Sequence, residues 1–437
     1  MGVMGGLRRT LPAAAAALGL AAGLPGTAYA AGEPLPTYRT ADGARPVQGA
    51  ESSADAPALE PGAVYGDSLA PGSRFYRLNL DGTSSVYVSA VLVPGPGARI
   101  DSGGDGLEVT LMTTGGRSCP GSPGRTTFGY GLGARPIGAA AVRRLQEDGD
   151  CQQAGVYYVK VTREASKNSD RSPWPVELTV SREPGLKTGS APAAAPSGWP
   201  STPPQPPASE PVAREGGTGF NDARALGTGV WRDGLRPGQT RFYRVPLDWG
   251  QQLSVGAELA AAKLTKDFAS ASTGLGVTLY TPYRSVLDDK DTGYDGKQAG
   301  LTLPPTAPVA YENRFASSSE AGGARVAGWY YLAVTLGEKV GEFTEDAVPV
   351  PLTLRLTVQG KAAAPPPYAE GLARSGFGIG DADRAAAREG LTEPEAALAA
   401  DRRATMGTVA AGGFGTGTLL LLVLGGWLLL ARRGRTG

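Results

Sequence analysis

The chain repeats itself. A block beginning at Asp55, DAPALEPGAVYGDSLAPGSRFYRLNL, is matched by DARALGTGVWRDGLRPGQTRFYRVPL beginning at Asp222. Ala58 and Leu59 align with Ala225 and Leu226, Asp67 with Asp233, Pro71 and Gly72 with Pro237 and Gly238, and RFYR at 74–77 with RFYR at 241–244. The order holds further along: GLEVTLMTT (106–114) with GLGVTLYTP (274–282), AGVYYVKV (154–161) with AGWYYLAV (327–334), and VELTV (176–180) with LRLTV (354–358). A duplication on this scale means that each half is one structural unit, with insertions gathered in the loops between fixed blocks.

Each block is short, rich in Val, Tyr, Leu and Thr, and alternates apolar with polar positions, which predicts a strand. Val109 and Leu111 share one face, as do Val277 and Leu279, while Thr110 and Thr278 point the other way. Pro71–Gly72 and Pro237–Gly238 are turn residues set just before the RFYR strand. With 65 Gly and 36 Pro and no long amphipathic pattern between the blocks, the expected fold is all-β: an antiparallel sandwich over 50–184 and another over 216–360. Residues 185–215, dominated by Pro, Ala, Ser and Gly with a PPQPP run, predict an extended spacer. Residues 361–405 open with a second proline run and end in an alanine-rich charged stretch, which reads as a stalk. On this reading the two halves fold independently.

The ends of the chain suggest export. Arg8 and Arg9 precede an apolar run from Leu11 to about Gly23, and Ala28–Tyr29–Ala30 supplies small residues for cleavage after Ala30. Residues 1–30 are therefore expected to be a signal peptide and 31–49 an N-terminal segment. The alternative, an uncleaved anchor, requires a longer apolar run. No cysteine precedes Cys119, so lipoprotein-type attachment is excluded. Nothing charged lies between Arg403 and Arg432, which predicts a transmembrane helix over 406–431. Arg432, Arg433 and Arg435 crowd the tail 432–437 and place it in the cytoplasm. No LPxTG-like pentapeptide precedes this span, and Gly413 and Gly417 form a GxxxG pair. The expected protein is single-pass, with its bulk outside the cell membrane.

The 437 residues carry 42 basic against 41 acidic side chains, with no basic block outside the tail, so nucleic acid is not indicated. There is no histidine. That removes Ser/His/Asp and Cys/His catalysis, histidine-bearing zinc sites and a histidine general base, and leaves only carboxylate, Ser/Lys or Tyr chemistry. No cofactor is expected. The two cysteines, Cys119 and Cys151, predict one disulfide in an oxidising compartment. A reactive thiol pair and an intermolecular bridge are the alternatives.

Three sets of residues are candidate sites. Asp288, Asp289, Asp291 and Asp295, with Gly293 and Gly296, could offer oxygens to calcium. No EF-hand register fits them; a second loop, Asp101 and Asp105 with Gly103, Gly104 and Gly106, is equally loose, and a solvated loop is the favoured reading of both. Arg74, Arg77, Arg241 and Arg244 flank aromatics at matching positions; they could bind an acidic polymer, although solvent-facing strand residues are the simpler expectation. Tyr157, Tyr158, Tyr330 and Tyr331 with Trp329 could line a carbohydrate platform, but alternation makes one tyrosine of each pair a core residue.

A polar lead-in, a PG turn, an aromatic strand (RFYRVPL), a Gly followed by QQLSVGAEL, and a late GWYYL strand together resemble the bacterial pre-peptidase C-terminal domain. Both halves carry the pattern. The second matches best, from about Asn221 to Val358, with Asp248, Trp249, Gly250 and Gln251 before its next strand; in the first, Asp81 and Gly82 partly replace that element. The resemblance implies small jelly-roll-like sandwiches that serve secreted enzymes as accessory or binding modules, although the usual protease neighbour has no room here. The Ala-, Gly- and Arg-rich composition resembles that of actinobacterial proteins. The expected function is non-catalytic cell-surface binding, adhesion or scaffolding, with an envelope protein or polysaccharide as partner. The alternative is a carboxylate-dependent extracytoplasmic hydrolase or an accessory subunit of a secreted peptidase.

Overall fold

A computed structural model describes residues 34–433 apart from 96, 123, 147–148, 191–193, 195–197 and 346–347, with the side chains of 373–374, 407–417 and 428–433 also left undescribed. The expected signal peptide lies outside the described residues, as does most of the basic tail. The first half contains β1 (Arg45–Pro46), β2 (Ala58–Leu59), β3 (Val64–Leu69), β4 (Gly72–Leu80) and β5 (Ser84–Leu92). It continues with β6 (Gly106–Thr113), β7 (Gly124–Thr127), β8 (Ile137–Arg143), β9 (Gly155–Glu164) and β10 (Trp174–Pro184). The second half contains β11 (Val212–Ala213), β12 (Arg224–Ala225), β13 (Gly229–Leu235), β14 (Thr240–Leu247) and β15 (Gln252–Leu259). It continues with β16 (Ala271–Tyr280), β17 (Val286–Tyr294), β18 (Ala299–Leu303), β19 (Gly328–Leu336) and β20 (Val350–Gln359). Among the described residues, three α-helices, α1 (Ser319–Gly323), α2 (Asp381–Glu389) and α3 (Glu393–Arg433), and three short 3-10 turns complete the fold.

The sheets are β1-β3-β10-β5-β8 and β2-β4-β9-β6-β7 in the first half, and β11-β13-β20-β15-β18 and β12-β14-β19-β16-β17 in the second. Every neighbour relation of the first half recurs in the second. Among the longer strands β3 to β10, the first pairs with the last, the second with the seventh, the third with the sixth and the fourth with the fifth, the wind of a jelly roll. The lead-in strands β1, β2, β11 and β12 pair in parallel, a departure from a wholly antiparallel sandwich.

Side-chain chemistry repeats with the topology. The Tyr76 hydroxyl and the Gly49 amide both donate to Asp67, each at 2.7 Å. Tyr243 and Gly216 donate to Asp233 at 2.6 and 2.8 Å. A Cβ at Gly49 would sit 2.7 Å from the Tyr76 ring, and one at Gly216 would sit 2.8 Å from Tyr243, so glycine is needed for the chain to close over each tyrosine. Burial raises the Asp233 carboxyl above its ordinary pKa against the pull of these donors. Between the sheets of the first half lie Tyr76, Leu78, Val88, Val109, Leu111, Val159 and Leu178, each fully buried, and an equivalent set fills the second. Burial of this kind stabilises by about 1.5–3 kcal/mol per large aliphatic side chain. Cys119 and Cys151 form the expected disulfide, with a Cα–Cα distance of 5.7 Å and a sequence separation of 32. A loop of that length corresponds to roughly 3–4 kcal/mol of chain-entropy stabilisation.

The two halves are not merely tethered. The outer face of the β1-β3-β10-β5-β8 sheet packs on the second half through two aromatic clusters. Val91 meets Phe220, Phe242, Tyr280 and Tyr331, and Tyr87, Ala140 and Val142 meet Tyr283, Val326 and Phe377. Every residue of β5 and β8 is consequently buried. Two buried ion pairs cross the junction. Glu183 accepts from Arg314 Nη1 at 3.1 Å and Nη2 at 2.6 Å, from the Tyr87 hydroxyl at 2.7 Å and from the Tyr368 hydroxyl at 2.6 Å. Glu177 pairs with Arg284 and also accepts from Asn221 Nδ2 at 2.9 Å, the Tyr38 hydroxyl at 3.0 Å and the Ala41 amide at 2.8 Å.

The expectation of independent halves joined by a passive spacer is therefore corrected. The proline runs contribute to the junction because a proline carbonyl accepts hydrogen bonds although its nitrogen donates none. Lys187 N donates to the Pro367 carbonyl at 2.8 Å, Ala369 N to Gly185 at 2.9 Å, and Gln252 Nε2 to Pro200 at 3.1 Å. Residues 361–380 seal the two sandwiches rather than extending as a stalk. Trp199 packs beside α1.

α2 is tied to the second sandwich by Arg384–Asp248 at 2.6 Å and by Trp329 Nε1 donating to Asp383 at 3.0 Å. Gly390, in the left-handed region, ends α2. Thr392 and Glu395 then cap each other at the start of α3, and Arg224 pairs with Glu395 at 2.6 Å. The backbone of α3 runs unbroken for 41 residues. Among the described residues no helix is long and apolar enough to cross a membrane; many side chains of the expected span 406–431 lie outside them.

Candidate functional site: a cleft between the sandwiches

Between its two aromatic contact zones, the outer face of the first sandwich stands away from the second half, and residues 361–403 close over the gap. The result is a cleft of about 1600 Å³. Its first-sandwich wall carries Ser89, Thr179 and Ser181; the second half contributes Arg244, Trp329 and Tyr331; and Tyr368, Phe377 and the start of α2 form the cover. The hydroxyl row follows from strand geometry, since Glu177, Thr179, Ser181 and Glu183 alternate with the core residues Val176, Leu178 and Val180.

The carboxylates around the cleft are already engaged. Asp42 lies 3.1 Å from Arg39, Asp248 is 2.6 Å from Arg384, Glu370 is 2.7 Å from Arg182, and Glu393 is 3.7 Å from Arg244. Asp383 accepts from Trp329 and from the Gly380 amide at 2.8 Å. Burial alone would raise the Glu177 carboxyl, but Arg284, the Ala41 amide and Asn221 hold it below its ordinary range. Burial drives the Tyr38 hydroxyl well above its ordinary value, and it lowers the pKa of the Arg244 guanidinium.

The four candidate arginines separate. Arg77 is exposed, and Arg74 is partly covered and 3.6 Å from Glu51. Arg241 is buried against Glu215 at 2.7 Å and the Gly216 carbonyl at 3.1 Å. Arg244 is buried in the cleft wall, its guanidinium carbon 4.2 Å from the centre of the Trp329 ring. The solvent-facing expectation thus fails in the second half: Arg241 lies on the Tyr243 side of β14 under Glu215 and Gly216, and Arg244 lies on the opposite face, under the C-terminal segment.

Asp288, Asp289 and Asp291 lie on β17, opposite Leu279, Thr278 and Gly276 of β16, rather than in a loop. Asp289 and Asp291 are exposed, where charge blunts the open edge of the sheet. Burial raises the Asp288 carboxyl. Asp295 sits in the following turn, 3.5 Å from Lys297 Nζ. Among the described residues no three His, Cys, Asp or Glu side chains are placed to hold a metal. Asp105 is fully buried and shapes its own loop, accepting from Ser166 N at 2.8 Å and Ser169 Oγ at 2.7 Å. Tyr157 and Tyr330 enter the cores, Tyr158 is half-buried, and Tyr331 and Trp329, on one face of β19, both line the cleft. Sequence reasoning missed Thr179, Ser181 and Asp383. A signal for the first two existed in VELTVSREP, whose alternate positions Glu177, Thr179, Ser181 and Glu183 are all polar.

No family model matches the chain, and no curated protein matches it. Among solved structures, the tandem CBM22 domains of Paenibacillus barcinonensis Xyn10C are 10% identical at a TM-score of 0.19, covering 69% of this chain and 92% of that one. The tandem CBM51 modules of Sp3GH98, from Streptococcus pneumoniae, are 10% identical at 0.20, covering 68% and 83%. The extracellular domain of ANXUR2 from Arabidopsis thaliana is 10% identical at 0.18, covering 70% and 86%. Likenesses at such TM-scores carry no argument about ligand or activity, and the chain stands, on its own coordinates, as a tandem of β-sandwich domains.

Proposed function

We propose that this is a non-catalytic binding and scaffolding protein of the cell surface, whose recognition face is the cleft between two sandwiches locked into one body. The observation that carries the reading is the state of the cleft carboxylates. A carboxylate-dependent hydrolase needs two of them converging on a substrate, one free to donate and one to accept a proton. Asp42, Asp248, Glu370 and Glu393 are instead each paired with an arginine, and Asp383 orients Trp329.

In this reading the sandwiches, 50–184 and 216–360, are binding modules akin to pre-peptidase C-terminal domains, a kinship favoured by the jelly-roll wind of both. The signal peptide is removed after Ala30. α3 crosses the membrane over 406–431, and the tail 432–437 stays in the cytoplasm. At about 1.5 Å per residue, its 41 residues exceed a hydrocarbon core of about 30 Å with length to spare. N-terminal sequencing of the membrane-purified protein is expected to begin at Ala31. A photoreactive residue at Ser181, inside the cleft, should cross-link to an envelope component in intact cells, and one at exposed Phe268 should not. Equal labelling from both positions, or turnover of peptide or glycan abolished by changing a cleft carboxylate, would overturn the proposal.

A further inference from the structure

The cleft wall formed by β5 and β10 has an unusual supply of hydrogen-bonding groups. Both strands lie inside their sheet and pair on both sides, so their backbone N–H and C=O groups belong to the ladder. What remains is hydroxyl. Ser89 and Thr179 stand directly opposite each other, Ser181 follows on the same face, and the Thr179 hydroxyl is buried with no hydrogen-bond partner among the described residues.

Elsewhere in the lining, Arg244 is only 3% exposed, yet it is poorly partnered for a charged group. Its Nε is buried without a hydrogen bond among the described residues, Nη2 reaches the Leu391 carbonyl at 3.4 Å, and Nη1 is 3.7 Å from Glu393, whose side chain is 65% exposed. A guanidinium has five donors in a planar fork suited to a carboxylate, and a buried polar group left unpaired costs about 1–3 kcal/mol, more when charged. Beside it the Trp329 indole, fixed through Nε1 by Asp383, adds an immobile half-exposed apolar surface.

We infer that the cleft takes a strand of acidic envelope polysaccharide, a uronate carboxylate seating on Arg244 in place of the exposed Glu393 while sugar hydroxyls meet the Ser89–Thr179–Ser181 row and a ring lies against Trp329. The inference rests on the cleft being the recognition face. A volume of about 1600 Å³ exceeds the range of about 300–1,000 Å³ usual for small-molecule sites and suits an oligomer. An extended peptide fits the wall less well, because its backbone amides would meet strands with no free backbone groups, whereas a saccharide presents hydroxyls to hydroxyls.

The test uses the full-length protein in neutral-lipid nanodiscs, titrated by tryptophan fluorescence and calorimetry with a galacturonate oligomer, a maltooligosaccharide and a glutamate oligomer of equal length. The galacturonate should bind, less tightly as salt rises, and at least about tenfold more weakly to Arg244→Gln and Trp329→Ala. Arg77→Gln, at the exposed matching position of the first half, should bind as the parent does. Thr179→Val keeps the shape of the side chain and removes an unpaired hydroxyl, so it should fold at least as stably while binding several-fold more weakly. Unchanged affinity in Arg244→Gln or Thr179→Val, or equal binding of the neutral sugar, would refute the inference. Equal binding of the glutamate oligomer would assign the cleft to an acidic peptide instead. If no probe binds while Ser181 still cross-links in cells, the polysaccharide assignment fails and the cleft remains the recognition face.

Discussion

Replacing Arg314 with methionine should uncouple the two halves. Glu183, fully buried on β10, has its acceptor positions filled by two nitrogens of Arg314 and by the hydroxyls of Tyr87 and Tyr368, all within 3.1 Å. Burial alone would favour a neutral Arg314, but the Glu183 charge raises its pKa and keeps it charged. Removing one partner of such a pair leaves an uncompensated buried charge, typically at a cost of about 3–5 kcal/mol. The two tyrosine donors remain, so the lower figure, about 3 kcal/mol, is expected. Arg314→Met with Glu183→Gln, which removes both charges, should recover part of the loss. In urea denaturation followed by hydrogen exchange, the parent should lose protection in both halves together, and Arg314→Met should open the junction at lower urea, ahead of the two cores. A loss below about 1 kcal/mol, with both halves still unfolding together, would refute the view that this pair couples them. By the same reasoning, residues 50–184 expressed alone should be poorly stable, because Tyr87, Val91, Ala140 and Val142 would face water.

Non-reducing peptide mapping should recover Cys119 joined to Cys151, and reduction should lower stability by roughly 3 kcal/mol without changing the sheet spectrum. Glu177 titrates below its unfolded value, so its contribution is present above about pH 4.3 and is lost as pH falls through the lowered folded value; Glu177→Gln should flatten the fall in urea midpoint between neutral pH and about pH 3. Gly49→Ala and Gly216→Ala each force a methyl to within 2.8 Å of a buried tyrosine and should each cost about 1–3 kcal/mol by thermal or chemical melting, a parallel that would fail if the two sites were not equivalent.

Much of the fold was legible in the duplication. Blocks in one order in two places imply the same strands in the same order, and the aligned Asp67 and Asp233 do the same work on Tyr76 and Tyr243. The junction was harder to read. Glu183 and Tyr368 are 185 residues apart, and nothing local announces that one will accept from the other. β5, SSVYVSAVL, carried a partial signal: Tyr87 and Val91 lie on the face opposite the core residues Val86, Val88 and Ala90, and large apolar side chains there ask for cover on that face too. Arg244 was legible as a candidate beside an aromatic strand, but its burial depends on α2, α3 and the first sandwich, and no pattern within RFYR distinguishes it from exposed Arg77. By composition the Asp288–Asp291 run favours a loop, since acidic residues are poor strand formers, and pairing with β16 overrides that preference.

Arg224, Ala225 and Arg244 grip the chain at Gly390–Glu395, and α3 leaves that grip as a single helix. On the proposed topology, the cleft therefore has a compass bearing within the plane of the membrane. Each residue of helix turns that bearing by about 100° while lifting the sandwiches by only 1.5 Å. Inserting a single alanine just after Arg403, beyond the residues that line the cleft, would swing the opening by more than a quarter of a circle at nearly constant height. Any neighbour that holds the helix within the bilayer thereby decides which way the cleft points.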